Sequence, residues 1–324
     1  MVRTRCYRGG VLVDEDFALA RVSDLVGEPG SLVWVDLCGP EAAAGLVQVA
    51  SELGLHSLAV EDATSGRQRP KFSRFEGHDF LTAYAVSLDN RTGTLTTRQV
   101  SAFVTPTALV TVRTDDGFPL ETLLARWDEN SELTRLGVGA LLHGLLDVIV
   151  DGHFEAVGVL DDDIEALEDL LFDDRPRDRD VQRRSFELRK SLVRLRRVVL
   201  PMREVVNTAM RRDIGLVPPE LAPYFQDVYD HVLRAAEWTE SLRDLVATIV
   251  ETNLTIQGNR LNVITKKVTS WAAIIAVPTA ITGFYGQNLP YPGFARESGF
   301  VTSTLLIVLI SGGLFWMFRR RDWL

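Results

Sequence analysis

The residues best suited to chemistry lie in one run near the end of the chain, Arg260 to Asn288, RLNVITKKVTSWAAIIAVPTAITGFYGQN. Asn262, Thr265, Thr269, Ala272, Ala276, Thr279, Gly283 and Gly286 recur at steps of three and four residues, so on a helix they share one face. Every one is small or polar, while bulk stands elsewhere, at Trp271, Ile274, Ile275, Val277 and Ile281. Amides close the stripe at both ends: Asn262 at one, Gln287 and Asn288 at the other. A ring of neutral amide oxygens can accept hydrogen bonds from the water shell of a hydrated ion without fixing that ion too tightly to leave.

A plainer reading is that small residues let membrane helices approach closely. It suits the alanines and glycines but leaves Asn262 and the terminal amides unexplained, because polar groups at membrane depth are costly and line a path or a cavity. The stripe is therefore read as a pore lining.

The elements that must position this stripe follow from charge and proline. Val268 to Tyr285 carries no charge and is long enough to span a bilayer core as a helix. After LPYPGFARESG, Phe300 to Phe318 forms a second uncharged apolar run. Lys266 and Lys267 precede the first span and Arg319 to Arg321 follow the second, so the positive-inside rule places both termini in the cytoplasm and the loop outside. No proline intervenes between Pro223 and Pro278, which predicts one helix of about 80 Å. Its seam, Leu242, Leu245, Ile249, Thr252 and Ile256, must pack on copies of itself or on another helical element. Two spans per copy cannot enclose a pore, so more than one copy is required.

Composition agrees with a large soluble part and a small membrane part: 324 residues, 46% hydrophobic, 24% charged, mean hydropathy near zero. A net charge of −9 argues against nucleic acid, whose phosphates want a basic face. Two cysteines, Cys6 and Cys38, without CxxC spacing argue against a disulfide framework or a structural zinc site. MVRTRCYRGG lacks an apolar core of the signal-peptide kind, so the N-terminus is expected to stay in the cytoplasm.

Residues 1 to about 115 read as α/β. Strands are expected at Val11–Val13, Leu32–Leu37, Phe80–Leu88, Arg98–Val104 and Ala108–Val112, with a helix from Pro40 to Leu53 ended by Gly54. Asp89 to Gly93 is turn chemistry. No phosphate loop, HExxH or Ser-His-Asp order appears, and the five histidines are scattered and expected at surfaces or caps, so no enzyme is indicated. From Glu121 the pattern turns helical. An acidic run, Asp161 to Asp174, is followed by a basic run, Arg175 to Arg197, with Pro176 between them, which predicts an antiparallel hairpin whose arms attract. Individually such exposed pairs are weak.

WVDLCGP (Trp34–Pro40), LGLHSLAVEDA (Leu53–Ala63), RQRPK (Arg67–Lys71) and PYFQDVYDH (Pro223–His231) resemble the CorA family of divalent-cation channels. Within these runs Trp34 and Leu58 are expected in the core and Glu61-Asp62 at a helix end or in a salt bridge. The resemblance implies an α+β membrane protein. Its parts are a cytoplasmic α/β domain (1–125), a helical hairpin region (126–217), a stalk helix (218–267) and a two-helix transmembrane domain (268–324) with an external loop (287–299). It also implies a homopentamer in the cell (inner) membrane that imports Mg²⁺, with Co²⁺ and Ni²⁺ as further cargoes.

In the family Tyr-Gly-Met-Asn forms the outer filter. Here Tyr285, Gly286, Gln287 and Asn288 stand in its place, with Gln287 for the methionine. Asn262 matches the inner polar ring, while Thr265, Val268 and Ala276 stand where bulkier gates are common. Asp227, and Asp89 by its place in the strand-to-strand turn, match acids that hold a regulatory Mg²⁺ across a subunit boundary. Two alternatives remain: a zinc transporter of the ZntB type, and a membrane-anchored sensor or scaffold without flux.

Overall fold

The computed structural model describes residues 1–66, 68–89, 94–171, 178–287, 290–294 and 296–324. Asn288, the turn residues 90–93 and the segment 172–177 around Pro176 lie outside the described residues. The chain divides into two compact units, Met1–Ile249 and Val250–Leu324.

The first unit is built on a seven-stranded sheet in the order β2-β1-β3-β7-β6-β5-β4. Its strands are β1 (Val2–Arg8), β2 (Val11–Glu15), β3 (Ser31–Cys38), β4 (Lys71–Phe75), β5 (His78–Asp89), β6 (Thr94–Val104) and β7 (Ala108–Arg113). Only β3 and β7 run parallel; the other neighbours are antiparallel. All of β3 is buried, as expected of a central strand covered on both faces. Its side chains alternate between two cores. Val33, Val35 and Leu37 face Leu46, Val49, Phe80 and Phe103, beneath α1 (Val22–Gly27), α2 (Ala42–Leu53) and α3 (Ser57–Thr64). Leu32 and Trp34 face the opposite layer, made by α4 (Leu120–Glu129), α5 (Ser131–Thr134) and α6 (Val138–Leu171). There Trp127 meets Trp34 edge-on at 5.3 Å.

The parallel pair is also joined by charge. Arg113 and Asp36 are each 2% exposed, with Arg113 Nη2 2.7 Å from Asp36 Oδ2. Thr111 Oγ1 donates to Asp36 Oδ1 at 2.7 Å and accepts from Trp34 Nε1 at 3.2 Å. Every member of this network lies on β3 or β7. Cys6 and Cys38 are buried free thiols, and burial pushes both thiol pKa values up.

Several expectations hold and several need correction. Gly54 closes α2 in the left-handed conformation, φ 66°, and His56 caps α3 by accepting the Leu58 N–H. Asp62 pairs with Lys71, as expected. Leu58 is not core: it is 57% exposed, because the first turn of α3 presents it to solvent while Ala59 and Ala63 face inward. His78 and His153 are not surface residues. His78 is buried beside Phe75, and His153 is fully buried with Nε2 donating to the Tyr84 carbonyl at 2.7 Å. Charged residues hide strands β1 and β4: Arg3, Arg5 and Arg8 are interleaved with the buried Thr4, Cys6 and Tyr7 in β1, and Lys71 and Arg74 interrupt Phe72 and Phe75 in β4.

The hairpin is α6 against α7 (Asp178–Ala209). What joins its arms is apolar: Val157, Leu160, Ile164 and Leu167 meet Val181, Leu188, Leu192 and Leu195. Among the described residues no ion pair links the acidic run to the basic one; burial raises the Asp163 pKa despite the nearby Arg184. The same cluster takes in Leu242, Val246 and Ile249 of α8 (Ala222–Tyr285). Up to Ile249, then, the hairpin of the same chain covers the long helix's seam. Leu245, Thr252 and Ile256 are only half-buried.

The second unit holds the remainder of α8 and α9 (Glu297–Arg320), both long and apolar enough to cross a membrane. Pro278 sits inside α8, where its ring removes one backbone donor.

Arg113→Met strands Asp36 as an uncompensated buried charge and is expected to cost about 3–5 kcal/mol, read as a lowered thermal midpoint of the detergent-solubilised chain. His153 supplies a second test. Burial lowers its pKa to about 4. The unfolded chain binds this proton first, so the contribution is complete above about pH 6.5 and is lost as pH falls toward 4, by roughly 3 kcal/mol in all. His153→Gln, which keeps a donor for the Tyr84 carbonyl, should flatten this slope in denaturant titrations at pH 7 and 5; an unchanged slope would assign it to other groups.

Candidate functional site

The stripe is uncovered in a single chain. Asn262, Thr265, Thr269, Ala272, Ala276, Thr279, Gly283 and Gly286 are all exposed. The covered positions of this stretch are Ser270, fully buried, with Ala273, Ile274, Val277 and Ile281 half-buried. At about 100° per residue these lie on the opposite side of α8 from the stripe. Trp271 reaches Phe315 of α9 at 6.3 Å between ring centroids. On α9 the less exposed positions, Ser303, Ile307, Ser311, Leu314 and Phe318, recur at helical spacing. Intrachain helix packing therefore uses the bulky face and leaves the small-polar face free. Close packing of α9 is not what the stripe serves.

Chemistry on that face is acceptor-rich. Thr279 Oγ1 donates to the Ile275 carbonyl at 3.0 Å within its own helix. Its proton is thus engaged, and the oxygen lone pairs remain to accept from water. An added Cβ at Gly283 would meet nothing within 4 Å. Val268 is 63% exposed and Ala276 is exposed too.

The C-terminal end of α8 is held by aromatic residues. Gly286 N–H donates to the Thr282 carbonyl at 2.8 Å, and Gln287 N–H to Phe284 at 3.3 Å. The Tyr285 carbonyl, a helix-end acceptor without an intrahelical partner, accepts from the Tyr291 hydroxyl at 3.0 Å. Tyr291 stands edge-on to Tyr285 at 5.0 Å and to Phe294 at 5.3 Å. Gly293, at φ 92°, lets the chain turn back so closely that a Cβ on Gly299 would lie 2.4 Å from the Gly293 oxygen. Gly286 and Gln287 end as exposed residues on this support. Sequence reading missed the support; its signal was the spacing of Tyr285, Tyr291 and Phe294 around Pro290 and Pro292.

The two regulatory candidates lie on different elements, β5 and α8. Asp227 lies near the start of α8 with its carboxylate 67% exposed and 4.0 Å from Nδ1 of His231, one turn on. Its neighbour Asp230 accepts from Gln226 at 2.9 Å. Asp89 ends β5 opposite Thr94, is exposed, and makes contacts of its own. Among the described residues no group of three or more His, Cys, Asp or Glu is gathered to hold a metal within one chain.

Comparison with known proteins shows the family and the fold. The sequence model of the family described as CorA-like Mg²⁺ transporter protein covers residues 29–320. The cobalt/magnesium transport protein CorA of Thermotoga maritima is 30% identical over 293 residues, 90% of this chain and 83% of that protein. A zinc transport protein ZntB of Pectobacterium carotovorum is 24% identical over 276 residues, covering 82% of this chain and 80% of its own length. Among solved structures, the complete CorA magnesium transporter of Methanocaldococcus jannaschii shares the fold with a TM-score of 0.79 at 22% identity, over 99% of this chain and 98% of that one.

The aromatic support can be tested without any ion. Tyr291→Phe removes one hydrogen bond worth about 1 kcal/mol while keeping the ring contacts. Amide exchange at Tyr285 and Gly286 is expected to quicken about fivefold, with exchange in the β3–β7 core unchanged. Equal exchange in both proteins would mean that the Tyr285 carbonyl is satisfied without Tyr291.

Proposed function

This chain belongs to the CorA-like Mg²⁺ transporter family, and from that premise we propose that it is a homopentameric Mg²⁺ importer of the cell (inner) membrane, with Co²⁺ and Ni²⁺ as further cargoes. The observation that carries the reading is the free stripe of α8. A face of threonines, glycines and alanines bounded by Asn262 and Gln287, and left bare by the chain's own second span, has to be matched by water or by other copies of itself. Further support comes from the bare apolar positions Val250, Leu254, Leu261 and Ile264, which need a protein partner along the helix before the membrane. In the assembled ring, α8 lines the path and α9 stands outside. Residues 1–125 and 126–217 form the cytoplasmic part, 218–267 the stalk and 268–324 the membrane part. Both termini are cytoplasmic and the 287–299 loop is external.

In this mechanism a hydrated ion meets rings of Gln287 and Asn288 amides above Gly286. Their oxygens accept from its water shell, so the ion enters without full dehydration. It then passes Gly283, Thr279, Ala276, Ala272, Thr269 and Thr265, and leaves at the Asn262 ring. An inside-negative potential of 100 mV contributes about 4.6 kcal/mol for a divalent ion, so no nucleotide hydrolysis is needed to drive entry. Gating is assigned to Asp89 and Asp227 facing across a subunit boundary. With Mg²⁺ between them the interface is held; without it the carboxylates repel and the ring loosens. The second reading, Zn²⁺ transport, is favoured by Gln287 in place of the filter methionine and by the ZntB relatives.

Flux into liposomes under an inside-negative potential tests all of this. Mg²⁺ entry should exceed Zn²⁺ entry, internal Mg²⁺ should slow it, and Asn288→Ala should abolish it. Asp227→Ala should raise the internal Mg²⁺ needed for half-inhibition about tenfold, corresponding to ~1.4 kcal/mol of site affinity. Movement of Zn²⁺ alone would replace the substrate. Failure of every divalent ion to move would replace transport with a membrane-anchored sensor or scaffold.

A further inference from the structure

Between α7 and the β4–β6 end of the sheet lies a cavity of about 750 Å³. Arg69, Arg194, Arg196 and Arg197 line it, and among the described residues no carboxylate does. In a chain of net charge −9 this is an unusual local excess of positive charge. Among the described residues, Arg196 alone of the four has a carboxylate partner, Glu240 of α8. Arg194 Nη1 donates to the Leu95 carbonyl at 3.3 Å, and no other hydrogen bond engages its guanidinium among the described residues. Thr94, Thr96 and Thr97 of β6 also line the cavity, and Tyr84 and Leu200 add apolar surface.

Concave positive surfaces focus field and raise the local concentration of anions. Guanidinium forks bind phosphate oxygens in pairs, with geometry that a lysine cannot supply. The arginines come from two separate segments, the chain before β4 and helix α7. One phosphate cannot satisfy all of them, whereas a row of phosphates can. The volume falls within the range of pockets that enclose a whole small molecule, so an attached nucleoside also fits.

We propose that this cavity binds a polyphosphate anion of the nucleoside triphosphate class, through Arg69, Arg194 and Arg197, with the β6 threonines completing the phosphate shell. The bound anion bridges the sheet and α7, and α7 is tied by Arg196 to Glu240 on the long helix. Occupancy is thereby communicated to α8. The proposal is independent of the transport reading: the site can exist in a protein that moves no ion.

Isothermal titration of the full-length chain in detergent, in metal-free buffer, tests it with three probes: ATP, inorganic tripolyphosphate and AMP. One ATP or tripolyphosphate per chain is expected, with AMP at least about tenfold weaker and all binding weakened by salt. Arg69→Ala, Arg194→Ala and Arg197→Ala should each lower affinity about tenfold, while Arg197→Lys should retain more of it. Arg69 lies on irregular chain, so its variant keeps the native thermal midpoint and separates lost binding from lost folding. The proposal is overturned if ATP gives no heat at millimolar concentration, if the alanine variants bind it as the native chain does, or if AMP binds equally well. It is also overturned if vesicles containing phosphatidylglycerol engage these arginines and ATP does not displace them, which would assign the site to a lipid headgroup.

Discussion

A helix that crosses a bilayer must find a partner for every side of itself, and α8 has more kinds of side than one neighbour can satisfy. Apolar bulk can face lipid or a second span. A line of threonines, glycines and amides cannot face lipid without loss. In this protein α9 takes the bulky side, and the small-polar side is left unmet. The same helix nearer the N-terminus solves a similar problem differently, giving Leu242, Val246 and Ile249 to the cluster that joins α6 and α7. On α8 the small-polar positions that the chain leaves bare lie between Asn262 and Gln287, and that is where function is assigned.

Much of this was legible in the residues. The long helix, the two spans and the stripe follow from the absence of proline and charge and from a regular step, signals that survive because they extend over many turns. Central strands were readable where Val, Leu and Trp run together, as in Leu32–Leu37. Short range defeated the reading elsewhere. In β1, three arginines are interleaved with the buried Thr4, Cys6 and Tyr7, so the strand looks like a basic tail. Leu58 looks like core from its type, but its place in the first turn of a short helix turns it outward. Opposite charges on α6 and α7 point to an electrostatic contact, and the structure adds a buried apolar seam that the charge pattern does not announce.

Tertiary contacts hid the rest. Nothing local marks Arg113 as the partner of Asp36, because the pairing depends on β3 and β7 lying parallel with most of the sheet's chain between them. The arginine-lined cavity is similar: Arg69 and Arg194 are brought together only by packing α7 on the sheet. Tyr291 becomes a helix cap only once the loop turns at Gly293. Each combines residues that are unremarkable alone with a geometry that only the fold supplies.

The buried thiols have a practical bearing on how the proposed ion path can be watched. Cys6 and Cys38 are shielded from reagents, and burial keeps both sulfurs protonated and weakly nucleophilic. The chain is therefore a nearly silent background for maleimide or methanethiosulfonate probes. A cysteine placed at Thr279 or Asn262 would report accessibility without any need to strip the native ones, and spin labels or fluorophores could be seated one per subunit on an otherwise unaltered protein.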